Sequence, residues 1–276
     1  MLGASGVIGQ SLMPMLKEAG WPAIAMRTKD VDLTEESAAE ALAAMLEPGD
    51  SIVVLSALTP DRGRDIATFM ANLRMSQAIC AAVAEVPPAQ LIYLSSDAVY
   101  PFIEGRVDEQ SCASPFDLYG TMHLAREAHF RDTVREAPLA ILRCTMVLSA
   151  ADTHNSYGPN RFRHAAEKDG KITLGGGGEE TRDHILDRDV ARLVFQVLGR
   201  RSGGLLNLAT GTSASFFEVA TMVANRFNPP AELETTKRNN AVTHRHFDIT
   251  ALRRAFPDFA FSPLDDAIMA VHGTAL

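Results

Sequence analysis

Apolar residues fall in two textures along this chain. Short runs without alternation, Ser51 to Ala57, Gln90 to Leu94, Leu139 to Arg143 and Leu205 to Leu208, have the texture of strands buried on both faces. Longer stretches carry apolar positions at helical spacing: Gln10 to Ala19, Glu35 to Leu46, about Asp65 to Glu85, and the segment that opens near Tyr119. In the stretch from Asp65, residues Ala67, Met70, Leu73, Ile79, Ala82 and Val83 make a broad apolar stripe that Asn72 interrupts. Pro48-Gly49-Asp50 and Pro87-Pro88 punctuate the helices. The strand-helix rhythm predicts an α/β fold with a doubly wound parallel sheet, whose ligands sit at the carboxyl ends of the strands.

Past residue 143 the texture changes. Residues 150–186 hold Asn155-Ser156-Tyr157-Gly158-Pro159-Asn160, a helical segment near Arg161 to Lys168, and four consecutive glycines at 175–178. Such a glycine run cannot carry a core, so a mobile turn in a substrate-covering lobe is expected. No lysine followed by serine or threonine comes after it, as a P-loop would need. The expected division is a dinucleotide domain over 1–149, to which 187–224 returns, and a smaller C-terminal lobe made of 150–186 and 225–276. A helix with acidic caps begins at Asp187-Arg188-Asp189-Val190, another runs from Ser215 to Arg226, and a last one lies near Pro263 to Val271.

The N-terminal glycines bring in chemistry. Gly3, Gly6 and Gly9, at three-residue spacing within Leu-Gly-Ala-Ser-Gly-Val-Ile-Gly, stand just before an amphipathic helix. Glycines there let backbone amides reach a pyrophosphate at a helix N-terminus, which makes Gly3, Ser5, Gly6, Val7, Ile8 and Gly9 cofactor candidates. Only Met1 and Leu2 precede the turn, so the first strand of such a fold is expected to be largely missing from this chain. A short strand at Ala23 to Met26 follows, then Arg27, Thr28 and Lys29. An acidic residue near that strand end would bind a ribose 2′-hydroxyl and basic ones a 2′-phosphate, so Arg27 and Lys29 tilt the choice between NAD and NADP toward NADP. Asp32 and Leu33, ending a further short strand, are candidates for the adenine pocket. Ser56 and Ala57 are expected to face the cofactor, and Asn72 to hold the nearby loops by side-chain hydrogen bonds.

Composition narrows the classes. The net charge of -8, from 26 basic and 34 acidic side chains, argues against general affinity for nucleic acid or an anionic membrane. No apolar run approaches the ~20 residues that span a bilayer, and the N-terminus lacks the basic start of a signal peptide. Cys80, Cys112 and Cys144 are isolated, without metal-ligand or redox spacing, and read as free thiols of a cytoplasmic protein with no metal site.

The most informative stretch is 93–123. An apolar strand ends in Ser95, Ser96 and Asp97, and a helix follows with Tyr119 in its first turn, a layout for proton transfer. Together with the glycine turn, Asn72, Ser-Ser-Asp-Ala-Val-Tyr at 95–100, Tyr119-Gly120, Leu142-Arg143, Tyr157-Gly158-Pro159, Arg182-Asp183 and Asp189-Val190, this resembles the extended short-chain dehydrogenase/reductases. Within them the likeness is to the NAD-dependent epimerase/dehydratase family acting on nucleotide sugars, and it covers nearly the whole chain. The resemblance implies a Rossmann-like fold, a sugar or nucleotide-sugar substrate, a homodimer formed through the Tyr119 helix and its neighbour, and an oxidoreductase or epimerase activity. It aligns Ser96 with the hydroxyl that holds the substrate oxygen and Tyr119 with the acid/base. It also makes Tyr157, Asn160, Arg161 and Arg182 substrate candidates, with Arg163 a further arginine of the same lobe.

One position departs from that pattern. The family carries a lysine one turn after the tyrosine, where it lowers the phenol pKa and bonds the nicotinamide ribose; His123 stands there. An imidazole is shorter and mostly neutral at pH 7. His123 is expected to serve in part as a ribose donor, with Asp97 a candidate acid on a different proton path. A catalytically weak dinucleotide-binding sensor is the alternative.

Overall fold

The computed structural model describes residues 1–152 and 158–274 of the chain. The elements, in order, are α1 (Val7–Glu18), α2 (Ala38–Ala43), β1 (Ser51–Val54), α3 (Ile66–Glu85), β2 (Gln90–Ser96), a 3-10 turn (Asp97–Val99), β3 (Arg106–Val107), α4 (Leu118–Thr133), β4 (Leu139–Cys144) and β5 (Met146–Leu148). They continue with α5 (Gly158–Asp169), β6 (Lys171–Gly175), β7 (Thr181–Leu186), α6 (Asp187–Gly199), β8 (Gly204–Leu208) and β9 (Ser213–Ser215). The C-terminal part holds α7 (Phe216–Ala224), β10 (Glu232–Thr236), β11 (His246–Phe247), α8 (Thr250–Ala255) and α9 (Leu264–Thr274).

Two compact units emerge, one from 1–101, 112–144 and 190–206, the other from 102–111, 145–189 and 207–276. Compared with the expected division, 102–111, 145–149, 187–189 and 207–224 lie in the second unit. For α7 the reason is its apolar face: Val219, Ala220 and Val223 are buried with Phe162 and Ala166 of α5 and Ile172 and Leu174 of β6.

The first unit is built on a sheet in the order β1-β2-β4-β8, with β2 parallel to both neighbours. Ile52, Val54, Leu91, Tyr93 and Ile141 of these strands, with Ile79, Ala82 and Val83 of α3, form one core cluster, which is why the strands read as apolar without alternation. Of the first strand, Leu2 alone pairs, in parallel bridges to Met26 and to Val54. Its amide donates to the Val53 carbonyl at 2.9 Å and its carbonyl accepts from the Leu55 amide at 2.9 Å, so a single residue holds the position between two strand ends.

Several expected elements shrink or grow. Ala23 to Met26 contributes only the Met26 bridge, and no strand forms at Asp32-Leu33. There the Asp32 carboxylate accepts from the Thr34 amide at 3.0 Å and hydroxyl at 2.7 Å, a local turn that competes with strand geometry and delays the next helix to Ala38. The glycine run is a pinned turn: Gly175 ends β6, Gly176 donates to the Thr236 carbonyl, and the Gly178 carbonyl accepts from Phe217. Gly176 and Gly178 have φ of 62° and 72°, the backbone region that the run supplies. Helix α3 is, against expectation, long and apolar enough by composition to cross a membrane. Within its unit it packs on α2 and α4 and buries Met75, Ala78, Ile79, Ala82 and Val83, the ordinary use of an apolar stripe.

Candidate active site

The glycine turn is shaped by close approaches. Gly3 has φ of 83°, and a Cβ on it would stand 2.7 Å from the Ser56 amide nitrogen; a Cβ on Gly9 would stand 2.5 Å from the Ala4 carbonyl oxygen. Gly6 caps α1 without any side-chain hydrogen bond, and the Ser5 carbonyl is held by the Gln10 amide group at 2.8 Å. The first-turn amides at Val7, Ile8 and Gly9 therefore point out of the helix without a capping side chain, the arrangement that receives a pyrophosphate. The residues present fit a dinucleotide.

Arg27 follows Met26 on the exposed side of the same end of the sheet, and its amide donates to Asp30 at 3.0 Å. Asp32 is engaged with Thr34, and backbone bonding holds its carboxyl below the usual range. The Leu33 side chain is buried in the core beside Met26 and Val31.

Asn72, buried on α3, grips the chain after β1 from both sides. Its Oδ1 accepts from the Leu58 amide at 2.9 Å, and its Nδ2 donates to the Leu58 carbonyl at 3.0 Å. This fixes the Ser56-Ala57-Leu58 turn, and the Ser56 hydroxyl is buried without a hydrogen-bond partner among the described residues.

At the end of β2 the two serines diverge, because successive side chains of a strand face opposite ways. Ser95 is buried and donates to Glu127 at 2.7 Å. Ser96 is half-buried; its Oγ accepts from the Ala98 amide at 3.1 Å, leaving the hydroxyl hydrogen free to donate elsewhere. Asp97 begins the 3-10 turn and is half-buried. Helix α4 starts directly against that turn: Asp117 caps it by accepting from the Gly120 amide at 2.8 Å, and a Cβ on Gly120 would fall 2.1 Å from the Ala98 carbonyl oxygen. Tyr119 is thus held next to the Ser96-Asp97-Ala98 turn by a glycine that lets the helix approach. Its ring also lines a cavity of about 120 Å³ with Leu58, Asn72, Asp65, Asp117 and Met122.

Behind Tyr119 lies His123, 3% exposed, its ring edge-on to Tyr119 with centroids 4.7 Å apart. Its Nδ1 is 2.6 Å from the buried hydroxyl of Tyr93 on β2. Burial raises the Tyr93 pKa, so that phenol keeps its proton, and among the described residues its acceptor is His123 Nδ1. The imidazole is therefore the Nε2–H tautomer, and Nε2 is buried without a partner among the described residues. Burial, and then the nearby Arg126 charge, push the His123 pKa down to about 3. His123 is a neutral donor at any physiological pH.

Two further residues of α4 were not singled out from the sequence. Glu127 is fully buried and accepts from Arg143 twice, at 2.9 and 2.8 Å, from Ser95, and from Arg131 at 3.1 Å; Arg143 also lies over the Tyr100 ring, 4.7 Å to its centroid. This network bolts the Tyr119 helix to β2 and β4. Arg126, fully buried, donates to the Ser56 carbonyl at 2.9 Å, touches Asn72 Oδ1 at 3.5 Å, and lies 5.0 Å from the Tyr93 ring centroid. A charged residue three positions after His123 and seven after Tyr119 marks the same helix face, and that spacing was the available signal.

The remaining candidates lie in the second unit. Tyr157 is outside the described residues. Asn160 is spent on backbone, accepting from Ser149 at 3.1 Å and donating to Val147 at 3.1 Å. Arg161 is exposed and lines a cavity of about 310 Å³ with Phe162, Asp169, Lys171 and Glu234, whereas Arg163 pairs with Glu167 at 2.8 Å. Arg182 lies over Phe102, 4.7 Å to its centroid, and Arg245 over the same ring at 4.5 Å.

Comparison with known proteins agrees with this architecture. The profile of the NAD dependent epimerase/dehydratase family matches residues 1–209. The chain belongs to that family and is an NAD-dependent enzyme of it. Among solved structures, it resembles MoeE5 in complex with UDP-glucose and NAD, with a TM-score of 0.85 at 20% identity over 99% of this chain and 96% of the other. A putative epimerase from Burkholderia cenocepacia is similar with a TM-score of 0.84 at 22% identity, covering 99% and 96%. The UDP-N-acetylglucosamine 4-epimerase of Bacillus cereus gives 0.82 at 21% identity, covering 99% and 97%.

Proposed function

We propose that this enzyme performs reversible hydride chemistry at a carbinol carbon of a nucleoside-diphosphate sugar, with Tyr119 as the acid/base. The observation that carries the reading is the close approach of Gly120, the residue after Tyr119, to Ala98 of the turn that follows Ser96. Ser96, its oxygen fixed by the Ala98 amide, keeps a hydroxyl hydrogen for the substrate oxygen. Tyr119 exchanges the proton of that same oxygen as the carbon gains or loses hydride. The bound dinucleotide supplies the hydride acceptor and donor. The turn at Gly3, Gly6 and Gly9 would hold its pyrophosphate, and the Nε2–H of His123 its nicotinamide ribose. Asp97, half-buried on the 3-10 turn, is the carboxyl that would serve a different proton path.

The substrate class is supported by relatives solved with UDP-glucose or acting on UDP-N-acetylglucosamine; within the second unit Arg182 is engaged by the Thr181 carbonyl and by the Thr243 carbonyl and hydroxyl, which leaves Arg161 as an exposed guanidinium for a diphosphate. The exposed Arg27 and Lys29 favour acceptance of a 2′-phosphate, whereas solved relatives carry NAD. The apolar exposed residues Ile66 and Met70 of α3 and Phe116 and Leu118 at the start of α4 fit a homodimer contact.

One experiment tests the reading. The protein, titrated with NAD and with NADP, is assayed on a panel of nucleotide sugars beside Tyr119→Phe. Loss of turnover by roughly 100-fold or more in the variant is expected, with dinucleotide binding retained. Binding without any turnover sensitive to Tyr119→Phe overturns it in favour of a dinucleotide-binding sensor.

A further inference from the structure

Arg126 is a fully buried cation with no ion pair among the described residues. Its hydrogen bonds go to a backbone carbonyl and an amide oxygen, and its remaining face is covered by the Tyr93 ring. The carboxylate next to it in sequence, Glu127, is already saturated by Arg143, Arg131 and Ser95. Burying a charge against neutral acceptors is costly, and a core position of this kind is better filled by an apolar side chain. The cost needs a reason other than stability.

Helix geometry supplies one. Residues 119, 123 and 126 fall at i, i+4 and i+7, along one face of α4. The rings of Tyr119 and His123 are 4.7 Å apart by their centroids, those of His123 and Tyr93 5.9 Å, and the guanidinium is 5.0 Å from the Tyr93 ring, so the four groups form a continuous row of contacts. A phenol that is to give and take a proton near neutrality needs a positive neighbour, and His123 is not one, since its Nδ1 is occupied by the Tyr93 hydroxyl within a buried site. With a fixed cation one turn further on, a second buried cation at 123 would be repelled, whereas a neutral imidazole is compatible with it. We infer that the positive charge acting on the Tyr119 phenol is carried by Arg126, and that His123 keeps only a hydrogen-bonding role. The inference rests on Tyr119 being the acid/base and adds the source of its activation.

Arg126 is then a positioning residue for charge, acting without touching substrate. Other ionisable groups among the described residues face these side chains. Asp65 and Arg64 at the start of α3, with Asp117 before α4, line the cavity that Tyr119 lines. Cys80 of α3 feels the Arg126 charge, as does Tyr93 of β2. The two helix-capping carboxylates oppose ionisation of the phenol, and Arg64, which favours it, is exposed and screened by solvent, so a buried cation is the one that can outweigh them.

The decisive measurement is the pH titration of Tyr119 by tyrosine 13Cζ NMR in the cofactor-free protein, assigned with Tyr119→Phe. The midpoint is expected below the ordinary value of about 10. Arg126→Met should raise it by roughly one pH unit, the effect at an effective dielectric near 20 of a charge about 10 Å away, the rise of seven helical residues. Arg126→Lys should leave it near wild type, and Arg126→Met with His123→Lys should bring it back down. Arg126→Gln, which can still reach the Ser56 carbonyl, repeats the measurement if the methionine variant does not fold. A midpoint that stays put when the charge is removed, or one in wild type at or above 10, overturns the inference. The acid/base reading fails on a separate observable, turnover that survives Tyr119→Phe.

Discussion

At the scale of single residues, identity is dictated by what stands opposite. Gly9 is glycine because the Ala4 carbonyl lies where its Cβ would be, at 2.5 Å, and backbone atoms cannot yield as a side-chain tip can. Gly9→Ala should push the Leu2-to-Gly6 turn off the end of α1, weakening dinucleotide binding at least tenfold and costing about 1–3 kcal/mol of stability. Calorimetric titration with NAD and a thermal melt check both, and wild-type affinity in the variant would show that the turn is not the pyrophosphate site. The spacing of Gly3, Gly6 and Gly9 was readable because backbone approach leaves its mark on the sequence as absent side chains. His123 was readable as a departure, but its state was not. Neutrality follows from burial and from the Tyr93 hydroxyl at 2.6 Å, and Tyr93 is thirty residues away on another element. Arg126 was passed over for the same reason, since a lone arginine on a helix is ordinarily a solvated one and only packing shows it to be fully buried.

Elements of two or more helical turns, and parallel strands buried on both faces, announce themselves by period and by caps. Asp65 and Asp117 each accept from the amide three residues on, at 2.8 Å, and Ser215 with Glu218 closes a full capping box. Two-residue strands such as β3 and β11 have no period to detect, and their pairing, His246 with Arg106 and Phe247 with Val107, joins segments far apart in sequence. Helices α3 and α4 pack on each other with one end left bare: Ile66 is 70% exposed and Phe116 65%. Large apolar side chains this exposed, clustered at neighbouring helix starts, favour association with a second copy. The expected outcome is a dimer in analytical ultracentrifugation at micromolar concentration, converted to monomer by Ile66→Arg combined with Met70→Arg while the secondary structure is retained. A wild-type monomer at 100 μM would remove the proposal.

At the scale of the whole molecule, two histidines in different units tie stability to pH in the same direction. His123 is depressed to about 3 by burial and by Arg126, and His184, buried with both ring nitrogens unpartnered among the described residues, is depressed to about 4 by burial and by Arg182. Both bind a proton in the unfolded chain below about 6.5 while remaining neutral in the fold. Their contribution is complete above that value and is lost as the pH falls, with each histidine adding a slope of up to about 1.4 kcal/mol per pH unit until its folded pKa is reached. Carboxylates whose pKa values are lowered, such as Asp32, Asp65 and Glu218, act in the same sense but only nearer pH 4. The window from pH 6.5 to 4.5 therefore isolates the histidines. Calorimetric melts across it should show a falling midpoint, and the fall should be shallower in His184→Gln and shallower again when His123→Gln is added. A double variant that loses stability on acidification as steeply as wild type would mean that neither ring is held neutral by its burial. The same variant carries a second signature, because removing His123 frees the Tyr93 hydroxyl without touching Arg126, so the Tyr119 midpoint should stay low while dinucleotide affinity drops.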